Sequence, residues 1–158
     1  MVTFKTGDVI AIHANIRKAQ DVYGFALCLV YPLSAIQIIQ TDGNADIIQS
    51  DFLGADAVFF SKIKQDQEND LGIIKIGYSM QGNQPAKSGE GRMFSIRART
   101  LKPGQHPLIW TSNSAIVNLN QEELKSTFEN FTLHVDDTKD SGNEMNVVYI
   151  TVEQDTSD

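Results

Sequence analysis

Apolar side chains recur at every second position in one segment of this chain after another, and that spacing limits what it can fold into. Ile10, Ile12, Ala14 and Ile16 alternate with Val9, Ala11, His13, Asn15 and Arg17. Ile74, Ile76, Tyr78 and Met80 do the same further on, as do Phe94, Ile96 and Ala98, Leu108 and Trp110, and Phe131, Leu133 and Val135. A period of two is the geometry of a strand with one face buried. Phe25 to Tyr31 differs: Leu27, Leu29 and Tyr31 are apolar, and so are the intervening Ala26, Cys28 and Val30. Such a strand is covered on both faces, by the fold or by a partner. Pro32 ends it, and Ile36 to Gln40 makes a short successor. Turn chemistry separates the runs at Asp42-Gly43-Asn44, Gln81-Gly82-Asn83, Ser88-Gly89-Glu90-Gly91 and Lys102-Pro103-Gly104. The pattern predicts an all-β fold, a two-sheet jelly-roll sandwich of about nine strands. Leu27, Leu29, Ile74, Ile76, Phe94, Ile96, Ala98, Leu108, Trp110, Phe131 and Leu133 are its expected core.

Two segments resist this reading. Asn120 and Glu123 have capping-box spacing, with Leu124 and Phe128 four apart, so Asn120 to Phe128 is expected as a turn or two of helix or as a polar loop. Asp136 to Glu144 is acidic and loop-like, and alternation returns at Val148, Ile150 and Val152. The sandwich is therefore expected over residues 1–135. Residues 136–158 are expected as an acidic tail with an extra edge strand or a linker.

At 158 residues the chain is sized for one domain, and its net charge of -7 argues against nucleic acid, which needs a basic stripe. The single cysteine, Cys28, excludes an intramolecular disulfide and a cysteine-based zinc site; in its apolar run it reads as a small hydrophobe. No run approaches the ~18 apolar residues of a membrane helix, and no signal peptide is visible. Met1 reads as an added start residue or as the start of a domain excised from a longer chain.

Catalytic signatures are weak. His13, His106 and His134 fall singly on separate predicted strands, without zinc-ligand spacing, and His13 and His134 are expected to face solvent. There is no Gly-x-Ser-x-Gly elbow, and most acids lie in predicted loops as solvated charge. The run Asp136 to Gly142 fails as an EF-hand in either frame, because Lys139 or Ser141 stands where an oxygen ligand or glycine belongs. The expectation is no enzyme, no metal and no cofactor.

The order of the motifs resembles the bacterial cohesin module, the dockerin-binding sandwich of cellulosome scaffolds. Gly7-Asp8-Val9 opens a strand as that family's Gly-Asp does. Tyr23 to Tyr31 is similar to its Gly-Phe-x-Phe-x-Leu-x-Tyr strand, with Ile36-Gln37-Ile38-Ile39 following. Asp51-Phe52-Leu53-Gly54, Gly72 to Ser79, Ser88 to Gly91 leading into Phe94 to Ala98, and Lys102-Pro103-Gly104 complete the series. The Phe-Leu-Gly and Ser-Gly-x-Gly pieces are closer to the non-cellulosomal cohesin-like domains. The family's Tyr-Asp-Pro becomes Tyr31-Pro32-Leu33, and the tail after Val135 is extra.

The resemblance implies a non-catalytic protein–protein interaction module, carried extracellularly or at the cell surface in a larger secreted protein. Its implied partner is a calcium-containing dockerin-type module, which brings the calcium itself. The family docks on one sheet face, formed by its third, fifth, sixth and eighth strands. Carried over, the partner-binding positions are Gly24, Ala26, Cys28 and Val30 with Lys75, Gly77 and Ser79. Gly24 and Ala26 are small and apolar where scaffold-type cohesins carry Asn and Asp. The alternative is a carbohydrate-binding module of similar jelly-roll architecture. Its sugar platform would have to come from Tyr23, Tyr149 and Phe59, because alternation turns Trp110 inward.

Overall fold

The computed structural model describes residues 3–41, 43–54, 56–82, 85–139 and 146–155, and among these every regular element is a strand. In chain order they are β1 (Thr3–Thr6), β2 (Val9–Val22), β3 (Gly24–Pro32), β4 (Ile36–Ile38), β5 (Gln40–Thr41), β6 (Asn44–Ala45), β7 (Ile47–Gln49) and β8 (Val58–Asp66). There follow β9 (Leu71–Ser79), β10 (Lys87–Thr100), β11 (Gly104–Trp110), β12 (Ala115–Val117), β13 (Glu123–Leu124), β14 (Ser126–Phe128), β15 (Phe131–Lys139) and β16 (Asn146–Gln154).

Two sheets face each other across one core, as a jelly-roll sandwich requires. The first runs β1-β15-β11-β3, with β12 and β13 continuing beside β3 where β11 ends, and with β9 and then β8 on the other flank of β3. The second runs β14-β16-β2-β10, and both β4 and β7 pair with the far edge of β10. Ile10, Ile12, Ala14 and Ile16 of β2, with Phe94, Ile96 and Ala98 of β10, meet Leu27, Leu29, Ile74, Ile76, Leu108 and Trp110 from the opposite sheet, all buried. Phe94 and Trp110 bridge the layers edge-to-face with ring centroids 6.3 Å apart. Of the expected core only Phe131 differs, being half-buried.

Three local readings are corrected. Ser88 to Gly91 is not a turn: it lies within β10, pairing antiparallel with β2 through register shifts, because the long ladder absorbs the glycines as irregularities. Asn120 to Phe128 holds no helix. Leu124 pairs with Ile116 in the first sheet while Ser126–Phe128 pairs with β16 in the second, so the segment crosses between sheets and long-range pairing overrides its capping signal. Asp136 and Asp137 are strand, because β1 lies parallel to β15 and extends its ladder through Lys5↔Asp136. The rest of the acidic run, Asp140 to Glu144, lies outside the described residues.

Candidate functional site

The face singled out by the sequence is the outer surface of the first sheet over β8, β9, β3 and β12. Its residues form in-register rows. Phe60 pairs with Gly77, Gly77 with Ala26 and Ala26 with Ala115. On one side of that row runs Val58, Ser79, Gly24 and Val117; on the other, Lys62, Lys75 and Cys28. The last row is Lys64, Ile73, Val30 and Ile109.

The seven expected positions therefore meet on one surface, at different depths. Ala26, Lys75 and Ser79 are exposed, Gly77 and Val30 half-buried, and Gly24 and Cys28 buried. Cys28 points outward by register yet is only 7% exposed. It sits where β3 passes from its β12 neighbour to its β11 neighbour and the backbone ladder is interrupted. Ser114 closes the gap: its Oγ accepts from Cys28 N–H at 2.9 Å and its hydroxyl donates to Cys28 O at 3.1 Å. Thr111 N–H also donates to Cys28 O, at 2.9 Å. Both polar backbone groups of Cys28 are thus satisfied without a continuous neighbour strand.

Two features of this face escaped the sequence. Val58 and Phe60, 49% and 56% exposed, form an apolar ridge on edge strand β8. An exposed apolar edge is a liability unless something covers it. Phe59 and Phe60 stand together in the sequence, and only the alternation of β8 separates them: Phe59 turns inward, edge-to-face on Tyr78, while Phe60 turns out. The second feature is a charge pair: Lys62 and Lys75 lie directly opposite each other. Like charges so placed repel, a cost that an anionic group on a partner would reverse.

The histidines offer no cluster. His106 is buried and its Nε2 lies 2.8 Å from Lys102 O. His134 is half-buried on the outer face of β15. His13, half-buried rather than free in solvent, has its Nδ1 2.7 Å from Ser95 Oγ. Burial first and the charge of Arg92 second hold its pKa below the usual histidine value. Among the described residues no three His, Cys, Asp or Glu side chains are grouped to hold a metal ion, and no helix is long and apolar enough to cross a membrane. The three aromatics considered for a sugar platform do not share a face. Tyr23 donates its hydroxyl to Gly82 O at 2.6 Å in the β2–β3 connection, Phe59 packs inward, and Tyr149 is exposed on the second sheet.

Comparison with solved structures identifies the architecture. A non-cellulosomal cohesin from the archaeon Archaeoglobus fulgidus superposes with a TM-score of 0.60 at 15% identity, covering 98% of this chain and 86% of its own. The chain has the cohesin fold. A type II cohesin domain from the cellulosome of Acetivibrio cellulolyticus gives a TM-score of 0.62 at 14% identity, over 83% of this chain and 88% of that one. A type I cohesin–dockerin complex from Clostridium thermocellum gives 0.55 at 14% identity, over 97% and 92%. No family model matches the sequence, and neither does any curated protein. In this cohesin-fold domain β3, β9, β8 and β12 form one continuous outer surface, on which the expected docking positions stand.

Proposed function

We propose that this domain is a non-catalytic protein–protein interaction module that captures a dockerin-type, calcium-containing partner on the outer face of β8, β9, β3 and β12. The observation that carries the reading is the row Phe60, Gly77, Ala26 and Ala115. Three of its members carry a methyl group or less, so the surface is low and flat beside an aromatic ridge. A partner helix can approach such a surface closely and bury the ridge. The polar groups that scaffold-type cohesins carry at Gly24 and Ala26 are absent. Apolar contact with Val58 and Phe60 therefore replaces hydrogen bonding at that end, and Lys62 and Lys75 select a partner with acidic side chains opposite them. The module needs no cofactor of its own, since the calcium orders the partner, and it works as one segment of a larger extracellular or cell-surface protein.

The test is capture of secreted proteins of the same organism on immobilised domain, in calcium and in EDTA. Wild type should retain a calcium-dependent, dockerin-like protein. Ala26→Lys places an unpaired charge in the middle of the contact, where burial costs several kcal/mol, and should lose that protein while remaining folded. Equal recovery by both proteins moves the site off this face.

A further inference from the structure

The opposite side of the sandwich carries a concavity that the docking face does not use. It is a cleft of about 830 Å³ on the outer surface of the second sheet, walled by Asn15 and Arg17 of β2, Glu90 and Arg92 of β10, Thr151 of β16, and the Gln49 to Gly54 segment. That volume lies within the range of small-molecule sites.

The cleft is built rather than incidental. β10 shifts register against β2 on both sides of Gly91 and Arg92, which interrupts the regular ladder there. Its outer wall is pinned along its length: Ser50 N–H donates to Met93 O at 3.2 Å, Phe52 N–H to Arg92 O at 3.3 Å, and Gly54 N–H to Asp51 O at 3.0 Å. The Tyr78 hydroxyl donates to Ser50 O and accepts from Leu53 N–H. Gly91 is required where it stands, because a Cβ there would lie 2.8 Å from Phe52 Cδ1. Site and wall interlock, so little ordering remains to be done on binding.

The lining specifies the ligand's chemistry. Amide, guanidinium, carboxylate and hydroxyl groups are set among apolar surface, to which Ile16, Gly54 and Gly91 contribute, and the two arginines are offset by Asp51 and Glu90. An apolar ligand would leave these groups unpaired, and a phosphate would need an excess of cations. Planar groups with paired donors or acceptors match vicinal hydroxyls. Beside the cleft, two residues along β16 from Thr151, stands Tyr149, 54% exposed, with its ring centroid 5.6 Å from that of His13. Alternation puts Tyr149 and Thr151 on the same face about 7 Å apart, close enough for one sugar ring to stack on Tyr149 while the next enters the cleft.

We infer that the outer face of the second sheet, around Asn15, Arg17, Arg92, Glu90, Asp51 and Thr151, is a binding site for a neutral saccharide, with Tyr149 as its stacking surface. It is independent of the docking face, so one domain could hold a protein partner and a polysaccharide at once.

The test is affinity electrophoresis in native gels cast with soluble xylan, mannan or mixed-linkage glucan, with polygalacturonate as the anionic comparator. Wild type should be retarded by at least one neutral polymer. Thr151→Trp, which fills the cleft, and Tyr149→Ala, which removes the stacking surface, should each weaken retardation roughly tenfold. Asp51→Asn, a change at an exposed wall residue, guards against loss through misfolding and should weaken it too. Phe60→Lys, on the docking face, should leave it unchanged whether or not that face binds a protein. Migration unaffected by all three neutral polymers overturns the site. So does retardation that survives both Thr151→Trp and Tyr149→Ala, and stronger retention on polygalacturonate overturns the neutral assignment.

Discussion

The ring of Phe60 leans over Gly77 on the neighbouring strand: a Cβ at position 77 would lie 3.3 Å from Phe60 Cδ1. The glycine is what lets an exposed aromatic lie along the sheet beside the flat row Gly77, Ala26 and Ala115. Gly77→Val should push the ring off its seat. Phe60 is largely in solvent, so stability should change by less than about 1 kcal/mol, while affinity for a captured partner drops roughly tenfold. Urea denaturation and surface plasmon resonance on the same variant separate the two effects. Undiminished affinity would remove Phe60 from the contact.

Trp110 is 6% exposed and touches Phe94 across the core and Phe128 from the crossing segment, at 6.3 and 5.9 Å between centroids. Trp110→Ala leaves a cavity where three elements meet and should cost about 3 to 5 kcal/mol. Chemical denaturation followed by far-ultraviolet circular dichroism measures this. A loss under about 1 kcal/mol would mean that the site collapses around the smaller side chain.

Gly72 is indispensable for a different reason from Gly77. A Cβ there would stand 2.0 Å from Tyr31 Cζ, and Tyr31 is buried against the core. Gly72→Ala should destabilise by about 1 to 3 kcal/mol. The double variant Gly72→Ala, Tyr31→Ala should lose less than the sum of the two single changes, because the clash disappears with the ring. Additive losses would show that the ring is not the obstacle.

Asp70, at the tip of the β8–β9 hairpin, accepts from Ser34 N–H and from the Ser34 hydroxyl, both at 2.7 Å, and its own carbonyl accepts from Leu33 N–H at 3.1 Å. These bonds tie the hairpin to the turn after β3. The Ser34 hydroxyl hydrogen bond holds the Asp70 pKa below its ordinary 3.8, with the Ser34 backbone bond and Lys102 adding to it and desolvation opposing. A carboxyl whose pKa falls on folding stabilises fully above its unfolded value and loses that contribution as pH drops through the folded one. Asp70→Asn should therefore lower stability slightly at pH 7 and flatten its decline below pH 3.8. Denaturation midpoints at pH 7 and pH 3 give the comparison; identical pH slopes for the two proteins would sink the linkage.

Alternation carried most of the architecture because each strand records its own burial. Ile10, Ile12, Ala14 and Ile16 face the core, and their neighbours His13 and Asn15 do not, whatever the strands beside them. The same signal places Ala26, Lys75, Gly77 and Ser79 on one side of β3 and β9. It says nothing about exposure: Cys28 shares that side and is buried, because Ser114 fills a ladder gap created far along the chain.

Sequence by itself determined the long alternating strands, their inward positions and the side of β3 that carries Gly24, Ala26 and Cys28, since all of these depend on neighbours one or two positions apart. Tertiary structure alone decided which strands meet. It laid Phe60 over Gly77, opposed Lys62 to Lys75, and carried Leu124 and Phe128 to different sheets. It also set β16 beside β2, so that Tyr149 stands next to His13. Pairing between distant strands depends on how all the buried faces close together on one core, and no local pattern encodes that.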